Sequence, residues 1–397
     1  MTGVQDYEGH PLAERARAVM PRGNTRTTLF VPPTPPYAVS GSGPYVLDQR
    51  GHRVIDCNNN YTALIHGHAF APVEEAVAEQ LPHGTAFGLP TATEIELAEL
   101  LASRTGLPLW RFSNSGTEAV MTAVRGARAA TGRDLLVRFE GSYHGTSDAV
   151  VASNAPGIPE AVAGTSVALP QGDAEALRDF MRTRGEEVAA VLIDVMPNRA
   201  GLVPAATEFV TLVRELTRRH GALMIVDEVI TFRMAEGGLH REYEVEPDLM
   251  TVGKVIGGGF PVGGLGGTAE VMAVFDPMRE LGVSWGGTFS ANPMSMIAGR
   301  VALEHFSAET IARLNSLGDQ LRSGLTEAGI AVSGRGSLTR IREDVDLPRL
   351  WWALYGEGVL AGTNGLLALS TPMTDDHVHT VTDAVVTAVR GLRGGNQ

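Results

Sequence analysis

A single cysteine, Cys57, stands in a chain of 397 residues. One thiol excludes an internal disulfide and any zinc site built from several cysteines. No stretch approaches the roughly 18 consecutive apolar residues that a membrane-crossing helix needs. The opening segment MTGVQDYEGHPLAERARAVM holds no apolar core of signal-peptide length. Basic residues (32) are fewer than acidic ones (45), which leaves a formal net charge of −13. With no basic cluster and no run of five like charges, the footprint of a nucleic-acid binder is missing. Internal repeats and low-complexity tracts are missing too. These absences predict a cytoplasmic protein with neither nucleic acid nor membrane as partner.

What is present is a chain of ordinary globular composition, long enough for one large domain, a smaller one and a cofactor cleft. Residues 10–20 carry apolar positions at helical spacing. Pro44–Leu47 and Arg53–Asp56 flank the turn Asp48-Gln49-Arg50-Gly51 and predict a β-hairpin. From about residue 70 helices and strands alternate. Val73–Gln80, Glu94–Ser103, Thr117–Thr131 and Glu208–His220 have helical periodicity, and Gly221 stops the last of these. Leu135–Phe139, Ala189–Asp194 and Leu223–Asp227 are short apolar runs suited to buried parallel strands. The alternation predicts an α/β domain with a mostly parallel sheet. Helices near 293–305, 310–328 and 375–393 frame a final α+β portion.

Five segments carry candidate chemistry. Ser113-Asn114-Ser115-Gly116-Thr117-Glu118 puts small hydroxyl residues and a glycine at a helix start. Outward N–H groups and the helix dipole there favour a phosphate, although the same residues also make a plain N-cap. Leu223–Val229 is an apolar strand ending in Asp227 and Glu228. An acid at the carboxyl end of such a strand can hold a cationic ring nitrogen, or can simply be solvated. Lys254 lies in an apolar run that opens into Gly257-Gly258-Gly259. Burial would lower its amine pKa and suit it to Schiff-base chemistry; the alternative is a snorkelling surface lysine. In Phe139-Glu140-Gly141-Ser142-Tyr143-His144-Gly145, Tyr143 can stack on an aromatic cofactor or pack in a turn. Gly286-Gly287-Thr288-Phe289-Ser290-Ala291-Asn292-Pro293 is a second hydroxyl-rich helix entry. The pair His66 and His68 lacks further ligands in register and predicts no metal site. Taken together, the order and spacing of the five match what pyridoxal 5′-phosphate requires. Its phosphate needs a helix start, its ring a stacking partner, its ring nitrogen an acid and its aldehyde an amine.

On these motifs the chain resembles the class III aminotransferases of PLP fold type I, in the branch with glutamate-1-semialdehyde aminomutase and β-amino-acid aminotransferases. SNSGTEA, FEGSYHG, VDEVITFR, GKVIGGGFPVGG and GTFSANP carry the resemblance, from Pro21 to Pro372. It implies a large domain with a mostly parallel seven-stranded sheet flanked by helices (61–300). It also implies a small α+β domain made of the N-terminal (1–60) and C-terminal (301–397) segments. By resemblance, Lys254 forms the internal aldimine and Asp227 pairs with the pyridinium nitrogen. Val229 packs on the ring face opposite Tyr143, and Ser115, Gly116 and Thr117 hold the phosphate. Thr288 reaches the phosphate of the neighbouring subunit of a homodimer, and Arg26 binds a substrate carboxylate. The implied activity is transfer of an amino group between an amino acid donor and a keto acid or keto compound through pyridoxamine phosphate. The alternative is an intramolecular isomerase, either an aminomutase or an epimerase. A PLP lyase or decarboxylase, and a PLP-binding regulator, are the remaining classes.

Three positions depart from the family pattern. Asn364, in Gly362-Thr363-Asn364-Gly365, stands where the family often has an Arg that grips a carboxylate. Asn cannot make that bidentate charged contact. Arg199 stands where the aminomutases have an Asn near the cofactor's phenolic oxygen; it either lowers that oxygen's pKa or points to solvent. The charged segment Arg335–Leu350 is shorter than its counterpart, which either opens the cleft or trims a surface loop.

Overall fold

The structure is a computed structural model that describes residues 7–394. It divides into two compact units. One comprises Pro72–Ile311, and the other the described parts of Met1–Ala71 and Ala312–Gln397. The divisions fall at 71/72 and 311/312, where the sequence reading placed them at 60/61 and 300/301. No helix among the described residues is long and apolar enough to cross a membrane.

The larger unit is built on seven strands: β1 (Leu109–Ser113), β2 (Leu135–Phe139), β3 (Ser166–Leu169), β4 (Val188–Ile193), β5 (Leu223–Asp227), β6 (Leu249–Gly253) and β7 (Gly263–Gly267). Their order across the sheet is β1-β7-β6-β5-β4-β2-β3. All neighbouring pairs from β6 to β3 are parallel, and β7 runs antiparallel to both β1 and β6. The sheet is thus mostly parallel and seven-stranded, as the resemblance implied. Strands β2, β4 and β6 are buried at every residue. This explains why they read as continuous apolar runs rather than as alternating ones.

The helix Gly116–Thr131 lays Val120, Ala123, Val124 and Ala127 on this sheet, in one cluster with Leu136, Leu192, Ile225 and Leu265. Each fully buried Val or Leu contributes roughly 1.5–3 kcal/mol. Gly132, at φ 68°, ends the helix in the left-handed conformation that glycine adopts without a Cβ penalty.

Strand β7, Gly-Gly-Leu-Gly-Gly, was not anticipated, because glycines carry no side-chain periodicity. The fold requires them. A Cβ on Gly266 would lie 2.6 Å from the Trp110 ring, and one on Gly263 would lie 2.0 Å from the Ser115 carbonyl oxygen.

In the smaller unit the predicted hairpin is present as Tyr45–Asp48 and Arg53–Asp56. It is extended by Ala38–Ser42 on one side and by Val359–Leu360, parallel to Arg53–Asp56, on the other. Ala38–Ser42 escaped prediction because it is exposed and lacks alternation. A second, antiparallel sheet joins Val332–Arg335, Leu338–Ile341 and Leu366–Ala368. Tyr7, Val31, Val46, Val54, Trp351 and Tyr355 form the apolar cluster of this unit.

Candidate active site

Four chemistry-bearing segments leave the carboxyl ends of four adjacent parallel strands. Lys254 follows β6, Asp227 ends β5, Asp194 follows β4, and Tyr143 with His144 follows β2. In open α/β sheets that edge is where ligands bind. β1 points the same way and delivers Ser113, Asn114 and Ser115 to it. One ladder, Ser113–Gly263–Gly253, crosses from β1 through β7 to β6. It separates the Ser115 loop from the lysine by two strand spacings, about 9.5 Å.

The loop is a true helix start. Ser115 is the N-cap of Gly116–Thr131, and its Oγ accepts from the Glu118 N–H at 3.2 Å. The Glu118 carboxylate accepts from the Asn114 N–H at 2.7 Å, so the cap occupies the loop's own polar groups. The N–H groups of Gly116 and Thr117 remain to face an anion. Gly116 is required by its neighbour, since a Cβ there would lie 2.9 Å from Val229 Cγ1.

Asp227 is 4% exposed and held on three sides. Its Oδ1 accepts from the Thr251 hydroxyl and the Val229 N–H, each at 3.1 Å, and its Oδ2 lies 2.6 Å from His144 Nδ1. The His144 side chain is itself buried, and its Nε2 has no hydrogen-bond partner. Asp194 is buried as well, with Oδ1 on the Met196 N–H at 2.9 Å. Burial, reinforced by the nearby Asp227 and Glu228, pushes its carboxyl well above the usual carboxylate range, and Lys254 opposes the shift. Lys254 adopts a left-handed φ of 51°, uncommon for a lysine. Burial lowers its amine below the ordinary lysine value, against the pull of Asp227 and Asp194.

Tyr143 is partly exposed, and the Arg199 guanidinium lies over its ring at 3.9 Å. Arg199 is therefore seated on the aromatic rather than directed freely to solvent. Its loop is pressed against the Tyr143 loop, because a Cβ on Gly141 would meet Ala200 Cβ at 2.8 Å.

These residues fit pyridoxal phosphate. There is a helix start suited to an anion, a strand-end acid suited to a cationic nitrogen, an exposed aromatic side chain and an amine of lowered basicity. The profile of the family described as Aminotransferase class-III matches residues 31–389. The chain belongs to this family. Pyridoxal phosphate is the cofactor of class-III aminotransferases, and this enzyme takes it. One relative, the glutamate-1-semialdehyde 2,1-aminomutase of Methanothermobacter thermautotrophicus, is 40% identical over 327 residues, covering 80% of this chain and 77% of that protein. An omega-transaminase from Sphaerobacter thermophilus superposes with a TM-score of 0.95 at 41% identity, over 98% of this chain and 100% of that one. A β-phenylalanine aminotransferase from Variovorax paradoxus superposes with a TM-score of 0.90 at 32% identity, over 98% of this chain and 95% of that one.

The remaining sequence candidates of this class-III family member are Thr288, Arg26 and Asn364. Thr288 is exposed on the larger unit. Arg26 and Asn364 belong to the smaller one. Arg26 Nη1 donates to Asn60 Oδ1 at 2.8 Å. Asn364 Oδ1 turns back onto the Leu366 N–H at 3.2 Å and braces its own turn. His66 Nδ1 lies 2.9 Å from the Thr371 hydroxyl and stacks on Phe70, while His68 pairs with Asp56 at 2.7 Å.

Sequence reasoning named His144 and Asp194 inside their motifs but gave them no role. Asp194 could have been found by the same strand-end argument that found Asp227. The His144–Asp227 pair spans 83 residues, and no local signal announces it.

Proposed function

We propose that this enzyme is a pyridoxal-phosphate aminotransferase that moves an amino group from an amino acid donor to a keto acid or keto compound. The observation that carries the reading is the set of Lys254, Asp227, Tyr143 and the Ser115–Thr117 loop along one strand edge. The match to two transaminase structures along nearly their full length supports it. When bound, the cofactor supplies an aldehyde that condenses with amines and a ring that takes up an electron pair. Asp227, braced by the donors around it, pairs with the ring nitrogen in its cationic form. Lys254, less basic than an ordinary lysine, offers a free amine that anchors the cofactor and then carries a proton at Nζ. The N–H groups of Gly116 and Thr117 and the Ser115 loop hold the phosphate, and Tyr143 and Val229 flank the ring.

Arg26 receives the substrate carboxylate, with Asn364 standing where the family's second Arg is missing. The working unit is a homodimer in which Thr288 serves the neighbouring phosphate. Phe289, Phe87 and Leu89 are 60%, 51% and 77% exposed, and they offer the apolar surface that a second copy would cover.

An isomerase acting on a single amino compound is the second reading, supported by the 40% identical aminomutase. Two experiments separate them. Donor added without acceptor should convert the loaded enzyme's absorbance to that of pyridoxamine phosphate, and a keto acid should reverse the change. Sustained turnover of one amino compound with no keto acid present would instead establish the isomerase.

A further inference from the structure

The smaller unit holds a cavity of about 490 Å³ whose lining carries the carboxylate, guanidinium and imidazole groups of Arg26, Asp48, Asp56 and His68. Three of these are committed to partners. Asp48 Oδ2 accepts from the hydroxyls of Tyr7 and Tyr355 at 2.7 and 2.9 Å, and its Oδ1 from the backbone N–H groups of Arg50 and His52. Asp56 Oδ1 accepts from the N–H groups of Asn58 and Asn59 at 2.8 and 2.7 Å, and its Oδ2 faces His68. Arg26 meets no carboxylate among the described residues, and its one side-chain partner is the neutral oxygen of Asn60. A neutral acceptor steadies a guanidinium without cancelling its charge, which an Asp or Glu in the same place would do. Much of the remaining wall is apolar, including Leu29, Val46, Trp351 and Leu360.

Asn60 is brought to Arg26 by left-handed backbone. Asn59, Asn60, Tyr61 and Thr62 have φ of 50°, 49°, 54° and 73°. Four such residues in a row oppose the chirality of the chain. Asn accepts the conformation, whereas Tyr and the β-branched Thr do so at a cost. The turn is held from every side. Asp56 caps its start, and Asn58 Oδ1 accepts from the Tyr61 N–H at 2.6 Å. Asn59 Nδ2 donates to the Ala368 carbonyl at 2.7 Å. The Tyr61 hydroxyl sits between the Thr28 carbonyl and the Thr363 hydroxyl. Strain of this kind persists where the surroundings over-determine it, and it collects at ligand sites.

We propose that Asn60 is a specificity-determining positioning residue. The left-handed turn presents its carboxamide to Arg26, so that a fixed and uncancelled guanidinium meets the carboxylate of an organic acid whose apolar body fills this cavity. The inference deepens the assignment of Arg26 to substrate made above, and rests on it.

The test is calorimetric titration of the full-length, cofactor-loaded protein with 3-phenylpropanoate and with its neutral amide, neither of which has an amine to react. The wild type should prefer the carboxylate. Asn60→Gly, which suits the backbone and removes the acceptor, should shrink that preference about 3–10-fold, the worth of one such hydrogen bond. Asn60→Asp, which sets an anion against Arg26, should abolish it. A preference unaltered in both variants, or missing from the wild type, overturns the proposal. Donor turnover measured in parallel keeps the two readings apart. Turnover with an unmoved preference sinks the role of Asn60 alone. A moved preference in a protein that turns over no donor sinks the aminotransferase reading and leaves Asn60 standing.

Discussion

His144 donates from Nδ1 to Oδ2 of Asp227 across 2.6 Å, with both side chains almost fully buried. The contact fixes the tautomer and orientation of the imidazole. It also supplies one of the three hydrogen bonds that hold the Asp227 carboxylate in place, so under the proposed pairing of Asp227 with the cofactor's ring nitrogen His144 acts through the carboxylate. His144→Phe would leave Oδ2 buried without its donor, a loss of about 1–3 kcal/mol. If that loss falls on the transition state, kcat for the donor half-reaction drops by roughly 5- to 160-fold. His144→Gln should recover part of it. Stopped-flow absorbance on both variants checks this, and a kcat equal to wild type in His144→Phe would remove the histidine from the argument.

Asp227→Asn keeps the size of the side chain and the acceptor for the Thr251 hydroxyl and the Val229 N–H. It removes the charge proposed to hold the ring nitrogen protonated. The variant should still bind pyridoxal phosphate, yet turn over on the order of 10²–10³-fold more slowly, as expected when one preorganised electrostatic group is lost. Cofactor content by absorbance and kcat by a coupled assay measure the two halves of the prediction.

Lys254→Ala should abolish fixation of the cofactor by borohydride and lower turnover by about 10²–10⁴-fold, the range for losing a positioned acid–base group. Mass spectrometry of peptides spanning Leu249–Gly259 reads the label directly. A label of wild-type size in the variant would move the anchor elsewhere.

Asp194 gives the cofactor-free protein a pH signature. Its carboxyl titrates well above the usual value because of burial and the nearby Asp227 and Glu228. Between the two titration points the folded protein holds a proton that the unfolded chain has lost. The stabilisation is therefore complete below about pH 3.8 and drains away as the pH rises through the folded value. Asp194→Asn retains an acceptor for the Met196 N–H and removes the titration. The wild type should lose stability relative to this variant with rising pH. Melting temperatures at a series of pH values report the difference, and parallel curves would refute it.

Gly116→Ala forces a methyl to within 2.9 Å of Val229 Cγ1, at the helix start assigned to the phosphate. Overpacking of this kind costs about 1–3 kcal/mol, and cofactor affinity should weaken with it. Val229→Ala in the same chain removes the obstructing methyls, so the double variant should regain stability. The non-additivity of the two changes is the evidence that they act through one contact.

Much of this arrangement could be read from residues near one another in the chain. The Ser115 loop, the acid closing β5, the lysine before three glycines and the apolar runs of the parallel strands are local patterns, each with a local physical cause. The hairpin of the smaller unit was legible from its turn, but its outer strand Ala38–Ser42 was not. That strand is exposed and exists through pairing alone.

The amino-acid sequence by itself determined the cofactor chemistry, because a helix start, a strand-end acid and a buried amine are properties of short segments and their order. Tertiary structure alone decided how those groups are tuned. It set a histidine 83 residues away against Asp227 and laid Arg199 on Tyr143. It made a strand of five residues that include four glycines, because the Trp110 ring and the Ser115 carbonyl occupy the space side chains would need. It wound Asn59–Thr62 left-handed to bring Asn60 to Arg26. Each of these is a contact between distant segments, whose energy exists only once the chain has closed around it.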